Sequence, residues 1–499
     1  MQNSEPTDIG SRRELFIDDF LIDRIDGHAS RRMHHPQPRD IVLRHDAPWE
    51  GNGCGYHSLF RDGDLYKLYY KAWKIRLKPG KIATEKTPDI FTCYAESKDG
   101  IHWVKPDLGQ VAYDGNEANN IVLDRNSLTR AEGDPGHPAI FRDENPSAEI
   151  PYKGFLRSRG AHGVIAIESN DGFKWSEMAD TPVITDGAFD SQNLAFWDGE
   201  RGEYRAYWRC FPEGKVEQGV WDPKGPRSIR TATSPDMIHW SNQADLTYLG
   251  NPPAEELYVN QIKPYHRAPH ILIGFPARYL ERPWGSSMRA LPDREFREFR
   301  SSAQERYGTA LSESLLMSSR DGVSFTKWPE GFLRPGPERS GTWNYGHQYL
   351  AWLLVETASS LGTDAPNELS LYAVEDYWME TGSALRRYTL RLDGFVSLNA
   401  PASGGECLTR PLVFEGNELR LNFATSVAGD VRVEIQDEAG SPIEGFALGD
   451  CDPTFGDSVD RPVVWKTGSD VSTLTGRPLR LRFVLRDADL YAFRFTTES

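Results

Sequence analysis

One seven-residue phrase recurs along this chain and limits what it can fold into. Ser97–Trp103 reads SKDGIHW, Ser169–Trp175 SNDGFKW, Ser234–Trp240 SPDMIHW and Ser319–Phe325 SRDGVSF, and a worn copy, RLDGFVS, starts at Arg391. Ser, Asp and Gly make a tight turn, because Asp bonds nearby backbone amides and Gly accepts positive φ. The closing aromatic belongs in a strand that buries it, so each phrase is a hairpin corner. The starts lie 72, 65, 85 and 72 residues apart. That period implies supersecondary units stacked around or along something.

Similar material precedes each corner. The first follows YHSLFRDGDLYKLYYKAW and TCYAES; the third follows SQNLAFWDGERGEYRAYWRCF and RSIRTATS. Each unit is an apolar strand, a turn, an aromatic strand, a third strand, the corner and a short fourth strand. No helical periodicity separates the units, so they read as propeller blades. Five blades fit residues 40–398. Beyond about Ser403, strict alternation (Leu419, Leu421, Phe423; Val431, Val433, Ile435) predicts a β-sandwich over 402–499. The fold class is therefore all-β: a five-bladed β-propeller followed by a C-terminal β-sandwich. Residues 1–39 are expected to form an extended segment packed on the propeller. Asp18 and Asp19 look catalytic at a glance, but they precede the first blade.

Composition excludes several classes. Among 499 residues, 14 Trp, 20 Tyr, 44 Gly and 33 Pro suit a turn-rich, aromatic-rich β-protein. No apolar run approaches the roughly 18 residues of a membrane span. The start, MQNSEPTDIGSRRELF, lacks an apolar signal core. The expectation is a cytoplasmic protein, or a periplasmic or secreted one if a signal was removed. A net charge of −16 argues against nucleic-acid and acidic-membrane partners. The five cysteines show neither metal nor disulfide spacing, and His34–His35 lacks a third ligand. Oligomeric state is left open.

Candidate chemistry follows from position. Inner strands line a propeller axis, and the residues just ahead of them open on one face. These are Glu50 in blade one, Asp134 and His137 in two, and Asp190, Gln192 and Asn193 in three. Blade four offers Glu255, Glu256 and Asn260, and blade five Trp343 and His347. The second strand of each blade returns to that face, bringing Lys71, Arg157, Arg209 and Arg278. Glycosidic hydrolysis needs two carboxyl groups about 5 to 9.5 Å apart. The catalytic candidates are Glu50, Asp190, Glu255 and Glu256. Adjacent glutamates in a strand point oppositely, so one of Glu255 and Glu256 faces the axis as the protonated acid. Glu50 or Asp190 is then nucleophile or base. His137, Gln192, Asn193, Asn260, Trp343, His347 and the four cations are substrate-binding candidates. The cations admit an anionic sugar, uronate or sulfated. Two alternatives stand beside hydrolysis: a non-catalytic sugar-binding propeller, and a polysaccharide lyase using His137 or a tyrosine with the arginines. No cofactor is required and no metal ligands are assigned; a structural calcium ion is left open. The expected partner is an oligosaccharide or polysaccharide.

These features resemble the glycoside hydrolases of families 32, 43 and 68, with the domain order of family 32. GYHSLFRDGDLYKLYY looks like their first-blade strand pair, and HPAIFRDE and NLAFWDGE look like the next two openings. PWEGNGCGY stands where family 32 carries its nucleophile, with Glu50 the nearest carboxylate; Gly136-His137-Pro138 replaces the family's Arg-Asp-Pro. Its Glu-Cys acid motif has no clear match. The resemblance implies the scaffold and a carbohydrate substrate. FDSQN and RAPHI also resemble stretches in a group of bacterial propeller proteins.

Overall fold

A computed structural model describes residues 5–83 and 90–497. It contains five blades. Blade one runs outward as Gly55–Asp62, Leu65–Trp73, Ile90–Ser97 and Trp103–Val104. Blade two is Gly133–Arg142, Tyr152–Ser158, Val164–Ser169 and Trp175–Glu177; blade three is Leu194–Asp198, Glu203–Cys210, Ser228–Ser234 and Ser241–Asp245. Blade four is Lys263–Tyr265, Ala268–Gly274, Met317–Ser319 and Ser324–Lys327. Its second and third strands resume as the pair Ala277–Glu281 and Ala310–Ser314.

The corners are built alike. In the first, Asp99 Oδ1 accepts the amides of Ile101 and His102, both at 2.8 Å, and Ser97 Oγ accepts that of Gly100 at 2.9 Å. The second repeats this with Asp171 and Ser169, the fourth with Asp321 and Ser319. The glycine does more than turn. Tyr372 of blade five donates to the Gly100 carbonyl at 2.5 Å, Tyr69 of blade one to Gly172 at 3.1 Å, and Tyr207 of blade three to Gly322 at 2.8 Å. Each of these three corners is thus clasped by a tyrosine of the preceding blade. A Cβ on Gly172 would stand 2.5 Å from the Tyr69 oxygen, and φ there is +82°. At the third corner Met237 replaces glycine, at φ 70°, and the facing residue is Phe155, which has no hydroxyl and packs against Trp240.

Two expectations need correcting. The fifth corner does not lead to a fourth strand of its blade. Blade five is Val355–Thr357, Glu368–Glu375 and Ala384–Arg391, and its outer strand is Gln37–Arg44 from the N-terminus. The chain after the corner, Val396–Ala400, instead pairs with Arg480–Thr496 in the C-terminal sheet. Nor does the N-terminal segment merely pack on the propeller. Glu14–Leu15, Ile22–Gly27 and Ser30–Met33 are strands of the C-terminal sheet, and Thr7–Gly10 pairs in parallel with Leu412–Phe414. The alternating runs Glu418–Gln436 and Arg480–Thr496 pair along their length. Their pairing shifts register between Thr425 and Asp430, and the sheet folds over a core of Leu421, Phe423, Val433, Phe483, Leu490 and Phe493. A sandwich results.

Insertions set one face apart. Between its second and third strands, blade one carries the hairpin Arg76–Lys78/Lys81–Ala83, and blade three the hairpin Glu213–Glu217/Val220–Lys224. Blade four carries the helices Ser286–Ala290, Arg294–Ala303 and Arg306–Thr309 at the same point. The second helix reaches the blade-one hairpin, where the Gly80 amide donates to Ser302 at 3.1 Å. All three rise where the inner strands begin. Among the described residues no helix is long and apolar enough to cross a membrane.

Candidate functional site

The axis itself is closed by amides. Gln192 is fully buried; its Nε2 donates to the Tyr56 and Pro138 carbonyls, both at 3.1 Å, and to Ser58 Oγ at 3.2 Å. Gln261 Nε2 bridges Gln192 Oε1 at 3.0 Å and the Leu350 carbonyl at 2.6 Å. Inner strands from every blade are tied through these two side chains. Asn193 is consumed by its own turn, donating to Phe189 and Ser191, and Asn260 is buried against Tyr207 and Ile262. These three sequence candidates are buried and hold the hub through their amides. Only Asp190 of FDSQN points outward.

Most of the other candidates are also engaged. Glu50 is fully buried, its oxygens held by the Ala47 amide (2.8 Å), Lys105 Nζ (2.7 Å) and the Tyr70 hydroxyl (2.5 Å). Its carboxylate is structural. Glu255 pairs with Arg278 at 2.7 Å and with Lys327, and these cations hold its carboxyl below the usual range despite burial. That is the wrong direction for a general acid. Glu256 is taken by Arg227 at 2.8 Å, and Arg278 also bonds Glu313 at 2.5 Å. His347 is buried behind Trp343, whose amide donates to its Nδ1 at 3.1 Å; burial drives its pKa to about 3, and it stays neutral. The Trp343 indole bonds the Gly336 carbonyl at 2.8 Å. Lys71 lies inside the protein, its ammonium 4.4 Å from the Tyr56 ring and 5.0 Å from Trp73; burial lowers its pKa to about 8. Asp134 accepts from His137 (3.2 Å), Arg157 (3.0 Å) and the Gly136 amide (2.9 Å). Those partners outweigh burial and hold it ionised, while burial lowers His137 to about 4.

What remains open is a cavity of about 300 Å³ between blades three and four. Asp190, ion-paired with Arg209, stands on one side, and Glu281 on another, accepting the Tyr279 hydroxyl at 2.9 Å. Arg209, Arg227 and Arg306 supply cations, and the Nε–H of each has no protein partner among the described residues. The ring of Tyr258 lies 5.4 Å from the Arg209 guanidinium and 5.5 Å from that of Arg227. Burial would raise its phenol, but the arginines and the Tyr345 hydroxyl at 3.0 Å bring it below the usual range. Phe211 and Trp221 complete the wall. A second cavity, of about 190 Å³, adjoins it and shares Asp190 and Trp221; Arg157 and His162 line it. Sequence reasoning missed Arg227, Tyr258, Glu281, Arg306 and Trp221. Arg306 and Trp221 sit on insertions outside the repeat. Glu281 ends the second strand of blade four, where cations had drawn attention and a carboxylate had not.

Another cavity, of about 650 Å³, opens where the inner strands end. Its carboxylates are paired, Glu356 with His266 at 3.6 Å and Glu144 with Lys263 at 3.6 Å, and none of the three insertions lines it. Among the described residues no three His, Cys, Asp or Glu side chains converge as a metal site, and all five cysteines are free and buried.

This fold and this pocket define the chain as a five-bladed propeller with an arginine-rich, aromatic cleft between blades three and four and an appended sandwich. No family model matches it. It is 27% identical over 150 residues to the protein MT1551 of Mycobacterium tuberculosis (strain CDC 1551 / Oshkosh); the match spans 30% of this chain and 40% of that relative. In fold it is similar to a thermostable family-43 glycoside hydrolase, at TM-score 0.41 and 11% identity over 69% of this chain and 92% of that one. It is also similar to Zg3597, a family 117 glycoside hydrolase of the marine bacterium Zobellia galactanivorans (TM-score 0.36, 11% identity, 72% and 90% covered). An endo-arabinase from Bacteroides thetaiotaomicron aligns at TM-score 0.37 and 10% identity, over 70% and 98%.

Proposed function

We propose that this chain is a glycoside hydrolase acting on an anionic oligosaccharide or polysaccharide, of the uronate or sulfated kind found in plant and algal walls. One observation carries the reading. Two carboxylates from adjacent blades, Asp190 and Glu281, line a single cavity whose other walls are arginines and aromatic rings. Asp190, beside Arg209, is suited to remain ionised and act as nucleophile, or as base through a water. Glu281 is the acid: its proton passes to the leaving glycosidic oxygen as the bond to the anomeric carbon breaks. Water then supplies a hydroxyl to that carbon and restores the proton. Arg227 and Arg306 hold the sugar's carboxylate or sulfate through charge-assisted hydrogen bonds.

The Tyr258 phenol favours a second reading, β-elimination from a uronate with tyrosinate as base and the arginines neutralising the carboxylate. Incubation with plant and algal uronate and sulfated oligosaccharides separates the readings. Hydrolysis releases reducing ends without ultraviolet-absorbing product, and Asp190→Asn and Glu281→Gln each lower the rate by about 10² or more. An absorbing unsaturated uronate, lost in Tyr258→Phe and retained in Glu281→Gln, would establish the lyase. Binding without turnover would leave a sugar-binding propeller.

A further inference from the structure

The hairpin Glu213–Glu217/Val220–Lys224 is not part of the four-stranded blade. It places a tryptophan in an unusual position. Trp221 is 58% exposed, and its indole meets Phe211 edge-on, with rings 6.1 Å apart at 84°. Tryptophan is highly buried on average, and here an exposed indole stands in the wall shared by two cavities. The hairpin is held at both ends. At its base a Cβ on Gly214 would meet the Asp222 carbonyl at 2.1 Å, and one on Gly225 would meet Pro212 at 2.7 Å, so the backbone is tightly packed there. At its tip Gln218 Nε2 donates to the Gly160 carbonyl of blade two at 3.0 Å.

The two cavities meet at this residue. On one side lie Arg209, Arg227 and Arg306 with both carboxylates; on the other lie Arg157, His162 and Gln218. Asp190 and Trp221 belong to both. We infer that Trp221 is a platform on which a sugar ring stacks at the junction of two subsites, so that the substrate is an oligosaccharide occupying both cavities and crossing Asp190. The apolar C–H face of a pyranose suits an indole, while its hydroxyls reach the polar walls. The anionic group lies on the side of the three arginines. This rests on the carbohydrate reading of the pocket and adds to it the length of the substrate and the residue that measures it.

The test is calorimetric titration of the full chain, in wild type, Trp221→Ala and Trp221→Phe. The probes are galacturonate, trigalacturonate, trimannuronate and a sulfated chondroitin tetrasaccharide. A probe that wild type cleaves is titrated in the Asp190→Asn background for all three forms. At least one oligosaccharide is expected to bind about tenfold tighter than the monosaccharide. Trp221→Ala should remove most of that tenfold advantage, and Trp221→Phe should keep most of it. Equal oligosaccharide affinity in wild type and Trp221→Ala overturns the platform. Equal affinity of wild type for mono- and oligosaccharide overturns the two subsites. Failure of every probe to bind wild type overturns the carbohydrate reading itself, and the subsites with it.

Discussion

Asp393 shows how a single side chain can leave a repeat and take up another task. It stands in the fifth, divergent corner, at φ 62° and fully buried. In place of the corner's own amides it holds Arg267 at 2.8 Å, Arg13 at 3.2 Å, the Tyr265 hydroxyl at 2.8 Å and Asn422 Nδ2 at 2.9 Å. Arg13 and Asn422 come from the sandwich and its N-terminal strands, Arg267 and Tyr265 from blade four, so one carboxylate joins the two domains. Burial opposes its charge, and the two guanidinium groups more than offset that. Removing one member of a buried charge cluster strands the others. Asp393→Ala is expected to cost about 3–5 kcal/mol, read as a lower urea midpoint at unchanged slope. A loss below about 1 kcal/mol would mean that solvent already reaches this junction.

At the scale of the element, the corner and its clasp act together. Three corners pair glycine with a tyrosine hydroxyl from the neighbouring blade; the third pairs Met237 with Phe155. Met237→Gly relieves a left-handed conformation worth about 1–2 kcal/mol but empties a fully buried side chain worth about 2–5 kcal/mol. Packing wins, and the variant should be destabilised by about 1–3 kcal/mol. Adding Phe155→Tyr to it should recover about 1 kcal/mol through the hydrogen bond the other corners make. A double-mutant cycle checks this. Strictly additive effects would show that the clasp is not a coupled unit.

At the scale of the molecule, the first forty-odd residues hold both domains. Gln37–Arg44 closes blade five, and the strands before it complete the C-terminal sheet. Deleting residues 1–44 should therefore abolish cooperative thermal unfolding; a truncated chain with an intact transition would show that closure is dispensable. A second global property is acid sensitivity. Burial lowers His45 and His137 to about 4 and His347 to about 3, and holds His57 well below its usual value, against about 6.5 in an unfolded chain. Between those values the unfolded chain binds more protons than the folded one, so stability falls as pH falls from 6.5 towards 4. Each histidine contributes up to about 1.4 kcal/mol per pH unit in that window. The thermal midpoint should drop steeply there, with unfolding near about pH 5 accompanied by uptake approaching about four protons. A midpoint flat from about pH 6.5 to 4.5 would contradict the buried, neutral histidines.

The sequence by itself determined the blades, because a turn that needs Asp, Gly and a buried aromatic at fixed offsets is written locally. Strict alternation determined the C-terminal strands for the same reason. Tertiary structure alone decided which chain segment closes blade five, since strand exchange between distant segments leaves no local mark. It also decided which carboxylates are free. Glu50 and Glu281 are alike in sequence, but one meets Tyr70 and Lys105 in the interior while the other faces a cavity. Charge neutralisation depends on partners 20 to 55 residues away, and those distances are closed only by folding. The pocket was hidden for a further reason. Its walls include insertions, and an insertion is by nature what a repeat does not predict.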